Sequence, residues 1–176
     1  MSLSAGKIQK IGKEISSKVE GKTLFDEFSR GRYSTDASVY QIKPIGIVLP
    51  KNTNDVLNLM EYSQKNSVPL LARGGGSSQC GQTVGESIVL DYSRHQNKIL
   101  EVNLEEKYVW VEPGVVLDHL NAQLKPHGLW FPVDVSTSSR ATIGGMSANN
   151  SCGSRSLYYG NMVHNVLAIE AILDDG

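Results

Sequence analysis

Ile8, Ile11, Ile15 and Val19 recur at spacings of three and four among lysines and glutamates. That spacing places one apolar stripe on an amphipathic helix over about 4–19. In "NTNDVLNLMEYSQKN", the polar residues Asn52 to Asn54 precede Val56, Leu57, Leu59, Met60 and Tyr62. This predicts an N-capped helix that ends near Asn66. Val116, Leu117, Leu120 and Leu124 share a face of a third helix, with Pro126 and Gly128 as stop signals. Elsewhere the period shortens, and β-branched or alternating runs predict strands at 39–42, 45–49, 68–72, 87–92, 98–103 and 107–114. At 166–173 apolar residues fill both alternations, which predicts a strand buried on both faces. Strand, helix, strand over 45–72 calls for a right-handed parallel crossover.

Two long stretches have no such period. The first is "ARGGGSSQCGQT", 72–83; the second runs from Trp130 to Asn161. Loops of this length in a compact domain are uncommon and usually functional. Each glycine costs about 0.8–1.0 kcal/mol relative to alanine in a helix, so Gly74, Gly75 and Gly76 rule out a helix in the first. They permit a concave nest in which successive amide N–H groups face an anion, with the hydroxyls of Ser77 and Ser78 as further donors. Gly75 is expected at positive φ, with its N–H toward a phosphate. Arg73 is expected to be solvated. No GKS or GKT follows, and the loop leads into a strand, so neither the Walker loop nor the dinucleotide fingerprint applies. What remains is a phosphate-binding loop between two strands, with no helix dipole behind it. The second stretch offers small residues, Gly144, Gly145, Ser147 and Ala148, which admit a flat ring or ligand chain, or else close helix packing. It also carries the amides Asn149 and Asn150 and the hydroxyls of "YYG".

Composition narrows the class. The chain has 176 residues, 40% hydrophobic and 20% charged, enough for a sizeable core. Its 17 Lys+Arg against 18 Asp+Glu give a net charge of −1, which argues against a nucleic-acid or anionic-membrane partner. Lysines interrupt the N-terminal apolar positions, so no signal peptide or membrane span is read there, and direct membrane insertion is not expected. Cys80 and Cys152 lie at neither CxxC nor metal-ligand spacing. They are read as reduced, buried or semi-buried thiols in a cytoplasmic protein without a metal site.

The order "PLLARGGGSS", then "VEPGVVLDHLNAQLKPHGLWFPVDVSTSSRATIGGMSANNSCG", then "YG…HNVLAIEAILDDG" resembles one known family. It is that of the PCMH-type FAD-binding domains of the vanillyl-alcohol oxidase/p-cresol methylhydroxylase superfamily, in the D-lactate, glycolate and D-2-hydroxyglutarate dehydrogenase branch. "RYSTDASVYQIKP" and "NNSCGS" resemble its large bacterial members, in which substrate and iron–sulfur regions follow. The resemblance spans about 29–176 and rests on order and spacing together.

It implies a two-lobed α+β fold, with a small mixed sheet lobe and a larger, mainly antiparallel sheet lobe flanked by helices. The expected division is a helix and extended lead-in over 1–38, one lobe over about 39–102 and a second over about 107–176, with both glycine-rich stretches lining the cleft. The resemblance assigns Gly74, Gly75, Gly76, Ser77 and Ser78 to the FAD pyrophosphate. Pro132, Asp134, Ser138, Thr142, Gly144, Gly145, Ala148 and Asn149 fall on the stretch that wraps the pyrophosphate and isoalloxazine. Tyr159, Gly160 and Val166 fall near the flavin or adenine end. Some relatives tether FAD through a histidine in the first loop; Ser77 and Ser78 stand here, which implies a non-covalent cofactor. His164 stands where many relatives have Asp, and its role is open. Family flavin domains continue past "LDDG", so an N-terminal fragment is expected, with substrate and iron–sulfur domains downstream in the same polypeptide. The implied chemistry is hydride transfer from a small D-2-hydroxy acid to FAD. A reductase of the UDP-N-acetylmuramate type and a non-catalytic nucleotide-binding or assembly module are the alternatives.

Overall fold

The computed structural model describes residues 3–173 and 176. Helix α1 (Ala5–Ser16) starts at Ser4, whose hydroxyl accepts the Lys7 N–H, and buries Ile8, Ile11 and Ile15. It ends one turn short of Val19, because the chain turns there into β1 (Lys22–Leu24). The turn is held by Asp55, 2% exposed, whose carboxylate accepts the N–H groups of Glu20 (2.7 Å), Gly21 (2.9 Å) and Lys51 (2.8 Å). A three-residue strand has no readable period, so β1 escaped the hydrophobic pattern.

Then follow α2 (Glu27–Arg32), β2 (Gly46–Leu49), α3 (Thr53–Asn66), β3 (Leu70–Arg73) and β4 (Ile88–Asp91). The Asn52 side chain caps α3 by accepting the Asp55 N–H, as expected. The four strands form one sheet in the order β1-β2-β4-β3, with β1 antiparallel to β2 and both β2 and β3 parallel to β4. Every residue of β2 and β4 is buried. Val48, Ile88 and Leu90 face α1 and α3, and Ile47, Leu49 and Val89 face Leu24, Tyr33 and Leu71. Two covered faces explain why these strands read as continuous apolar runs.

The remaining elements are β5 (Ile99–Asn103), β6 (Tyr108–Val111), α4 (Leu117–Leu124), a 3-10 turn (Lys125–His127), α5 (Ile143–Ala148), α6 (Ser156–Tyr159) and α7 (Met162–Asn165). Strands β5 and β6 form an antiparallel pair that packs on Val115, Leu120 and Leu124. Leu117, Val133, Ala141, Met146 and Met162 form a second small core under the loop-rich tract. Thus a mixed sheet and an antiparallel sheet share an α+β chain.

Several expectations are corrected. Val39 is 95% exposed and 39–42 form no strand; only Gln41 makes a bridge, to Thr35. Residues 166–173 form no strand either: no described strand pairs with them, and Leu167, Ile169 and Leu173 are exposed. Among the described residues the mixed sheet, with four strands, is larger than the antiparallel one, with two. The tract 130–161 is not all loop, since it contains α5 and α6, each too short to show a helical period. Cys80 and Cys152 sit on loops and are exposed free thiols, not buried ones.

Candidate functional site

Neighbours β3 and β4 run parallel, from Leu70↔Ile88 to Arg73↔Asp91. The chain leaving Arg73 must therefore travel back the length of a strand, a return usually made by a helix. Here residues 74–87 make it as the glycine loop itself. That puts the loop at the carboxyl end of β3, where open parallel sheets bind ligands. The amide N–H groups of Gly74, Gly75, Gly76, Ser77 and Ser78 meet no acceptor among the described residues. Gly76, not Gly75, takes the left-handed conformation, at φ +63°. A left-handed residue within a run of free amides is the geometry of an anion nest. The Ser78 hydroxyl is engaged inside the loop: it donates to Gln82 Oε1 and accepts the N–H groups of Cys80 and Gln82.

Arg73 is not simply solvated. Its guanidinium donates to Thr83 O (3.0 Å) and Thr35 O (2.9 Å) and lies 5.3 Å from the centre of the Tyr33 ring. Tyr33 in turn donates to Asp91 Oδ2 at 2.6 Å; burial first, then that carboxylate, pushes its phenol up to about 12.

The second stretch lies directly against the first. A Cβ at Gly74 would sit 2.1 Å from Thr142 Oγ1, and one at Gly75 would sit 2.2 Å from Arg140 O. The glycines therefore supply clearance for Arg140 and Thr142 as well as donors. A side-chain bond from Gln82 Nε2 to Asn149 Oδ1 (2.9 Å) closes the far end of the seam. The first amides of α5 are fully used: Ile143 N donates to Val115 O (2.8 Å), Gly144 N to Pro113 O (2.9 Å) and Gly145 N to the capping Thr142 Oγ1 (3.3 Å). Gly144 is small because Pro113 is close; a Cβ there would lie 2.6 Å from Pro113 Cβ. Gly145, Ala148 and Asn149 are exposed beside the first loop.

The other candidates sit farther along the seam. Asp134 accepts the Ser154 hydroxyl (2.8 Å) and the Arg155 N–H (3.0 Å), and these two bonds hold its carboxyl below the usual carboxylate range. Its carboxylate is thus tied to the turn before α6. Pro132 adjoins the fully buried Val133, and Ser138 gives its carbonyl to Asp118 N. The Tyr159 ring stands edge-on to Trp130 at 5.1 Å, and Arg155 lies over Trp130. Gly160 turns at φ +80° over His164, whose Nδ1 accepts the Asn161 N–H at 3.1 Å and so caps α7. That bond gives His164 a structural contact at the start of α7. Val166 half-covers the small core and, with Ser147, Asn150, Met162, Val163 and Ile169, borders a cavity of about 570 Å³.

Sequence reasoning missed Pro113, Gln82 and Arg140. The Pro-Gly pair at 113–114 marks a tight turn and was a usable signal for the first; a backbone carbonyl such as that of Arg140 has none. Among the described residues no helix is long and apolar enough to cross a membrane, and no cluster of three or more His, Cys, Asp or Glu could hold a metal.

Comparison with known proteins extends this picture. The family described as FAD binding domain matches residues 44–176. The chain is 43% identical over 163 residues to a D-2-hydroxyglutarate dehydrogenase of Haemophilus influenzae, covering 89% of this chain and 16% of that protein. It is 34% identical over 173 residues to the glycolate oxidase subunit GlcD of Bacillus subtilis, covering 96% of this chain and 37% of the subunit. The chain thus spans about a sixth of the length of the dehydrogenase. Among solved structures, an alkyldihydroxyacetonephosphate synthase superposes with a TM-score of 0.74 at 23% identity, over 90% of this chain and 32% of that one. p-Cresol methylhydroxylase superposes with a TM-score of 0.69 at 17% identity, over 86% and 31%. These two likenesses show the fold.

Proposed function

The chain belongs to the FAD binding domain family, and from that premise we propose that it holds FAD non-covalently, with the pyrophosphate on the amides of residues 74–78. One observation carries this reading: five successive N–H groups without an acceptor among the described residues, at the carboxyl end of a parallel strand, with Gly76 at positive φ. Such a nest suits a pyrophosphate, whose oxygens accept several donors at once. Of the second stretch, Gly145, Ala148 and Asn149 have the exposed faces that would touch the cofactor. Thr142, Gly144, Asp134, Pro132 and Ser138 would act through the backbone they hold, and Tyr159, Gly160 and Val166 would border the ring or adenine end.

The whole protein, on this reading, oxidises a small D-2-hydroxy acid. Bound FAD would supply the hydride acceptor, while the protein binds, orients and shields it from water. The names of the relatives support this assignment, namely D-2-hydroxyglutarate dehydrogenase, glycolate oxidase and D-lactate dehydrogenase. Their greater length supports placing substrate binding in further domains of the same polypeptide, and the resemblance of "RYSTDASVYQIKP" and "NNSCGS" to large bacterial members supports an iron–sulfur relay there. A cytoplasmic setting agrees with the two free thiols.

The test is flavin content. Protein that carries the complete flavin domain, saturated with FAD, should keep one equivalent through gel filtration and release all of it on acid precipitation, whereas residues 1–176 alone should hold it weakly at most. Flavin retained in the acid pellet would overturn the non-covalent assignment, and protein that takes up no FAD would overturn the reading as a whole.

A further inference from the structure

The guanidinium of Arg73 commits one N–H of each terminal nitrogen to a backbone carbonyl. Nη1 grips Thr83 O and Nη2 grips Thr35 O. The inner edge faces Gly76, where a Cβ would lie 2.5 Å from Nη2 and 3.0 Å from Nε. Gly76 is the left-handed residue of the nest. One side chain therefore reaches the middle of the glycine loop, its far end and the segment 35–41. That segment is itself tied to the loop. Thr83 donates to Asp36 Oδ2 at 3.0 Å, and Tyr40 packs so closely on Gly81 that a Cβ there would lie 2.5 Å from its Cδ2. Tyr33, on whose ring Arg73 rests, is fixed by Asp91 at the end of the adjacent strand.

We propose that Arg73 is a positioning residue for the anion cradle. It clamps the loop between Gly76 and Thr83 against the strap 35–41, so that the amides of residues 74–78 converge on one point. The proposal rests on the FAD reading above. A planar fork with two donors on different carbonyls is required; a lysine ammonium keeps the charge but cannot span both carbonyls from its place over Tyr33.

The experiment compares FAD with riboflavin, which carries the ring without the phosphates, on parent protein and on the R73K, R73Q and T83V variants. Both Arg73 variants should lose roughly tenfold to a hundredfold in FAD affinity, as expected when donors are misplaced by about an ångström. Riboflavin affinity should stay at the parental level. T83V frees the strap from the loop but keeps the carbonyl that Arg73 grips, so it should lose less, and again only toward FAD. Parental FAD affinity in R73K would overturn the proposal, as would a loss shared equally by FAD and riboflavin. Parent protein that binds FAD no more tightly than riboflavin would instead overturn the pyrophosphate assignment on which it stands.

Discussion

The two glycine-rich stretches look alike in composition and differ in what their backbones are free to do. Residues 74–78 present five amides with no acceptor among the described residues, whereas the first three amides of α5 are consumed by Val115 O, Pro113 O and Thr142 Oγ1. A helix N-terminus is ordinarily the expected anion site. Here it is closed from within, and the open donors lie on a loop with no helix. Both stretches need glycine for clearance, at Gly74 and Gly75 against Thr142 and Arg140 and at Gly144 against Pro113. Only the first has donors left over. Glycine therefore identifies close approach, and the hydrogen-bond inventory identifies which approach leaves room for a ligand.

That contrast can be broken at four points. The largest effect is expected from Gly75→Val, which would drive a side chain into Arg140 O and cover the neighbouring amides. FAD affinity should drop about a hundredfold or more, ~2.8 kcal/mol, in a fluorescence titration. Gly144→Ala should show the opposite balance. Overpacking against Pro113 should cost about 1–3 kcal/mol in urea unfolding, with FAD affinity changed severalfold at most while the protein stays folded. A smaller effect is expected from Gln82→Ala, which cuts the exposed bond to Asn149 and should cost about 0.5 kcal/mol of stability with a modest rise in FAD Kd.

The smallest concerns pH. The Ser154 hydroxyl and the Arg155 amide hold the folded-state value of Asp134 below its ordinary one of about 3.9. Its contribution is thus complete above that ordinary value and is lost as pH falls through the lower, folded-state value. Arg155 lies over Trp130, so tryptophan emission should change across that acid range. In Asp134→Asn the change should disappear.

Much of the framework was legible because burial imposes a period. The stripe of Ile8, Ile11 and Ile15, the Asn52 cap and the two-faced strands β2 and β4 follow directly from spacing. The failures share a cause as well. The alternation at 166–173 predicts a strand, but a strand also needs a neighbour to pair with, and none stands beside it among the described residues. The short elements β1 and α5 show no clear period of their own and are fixed by other groups, Asp55 for β1 and Pro113 with the capping Thr142 for α5. At the site, composition singled out both stretches, which the structure sets against each other. It could not tell free amides from used ones, nor that Gly76 rather than Gly75 turns left-handed, because both depend on Arg73, Arg140 and Pro113.

The central claim is that the anion is held by the amides of residues 74–78 and not by the start of α5. An amide-resolved NMR titration with FAD tests it most directly. The N–H resonances of Gly75, Gly76, Ser77 and Ser78 should move downfield together and saturate at one equivalent, while those of Ile143 and Gly144 keep their positions. Shifts centred on Ile143 and Gly144, with the glycine loop unmoved, would contradict it.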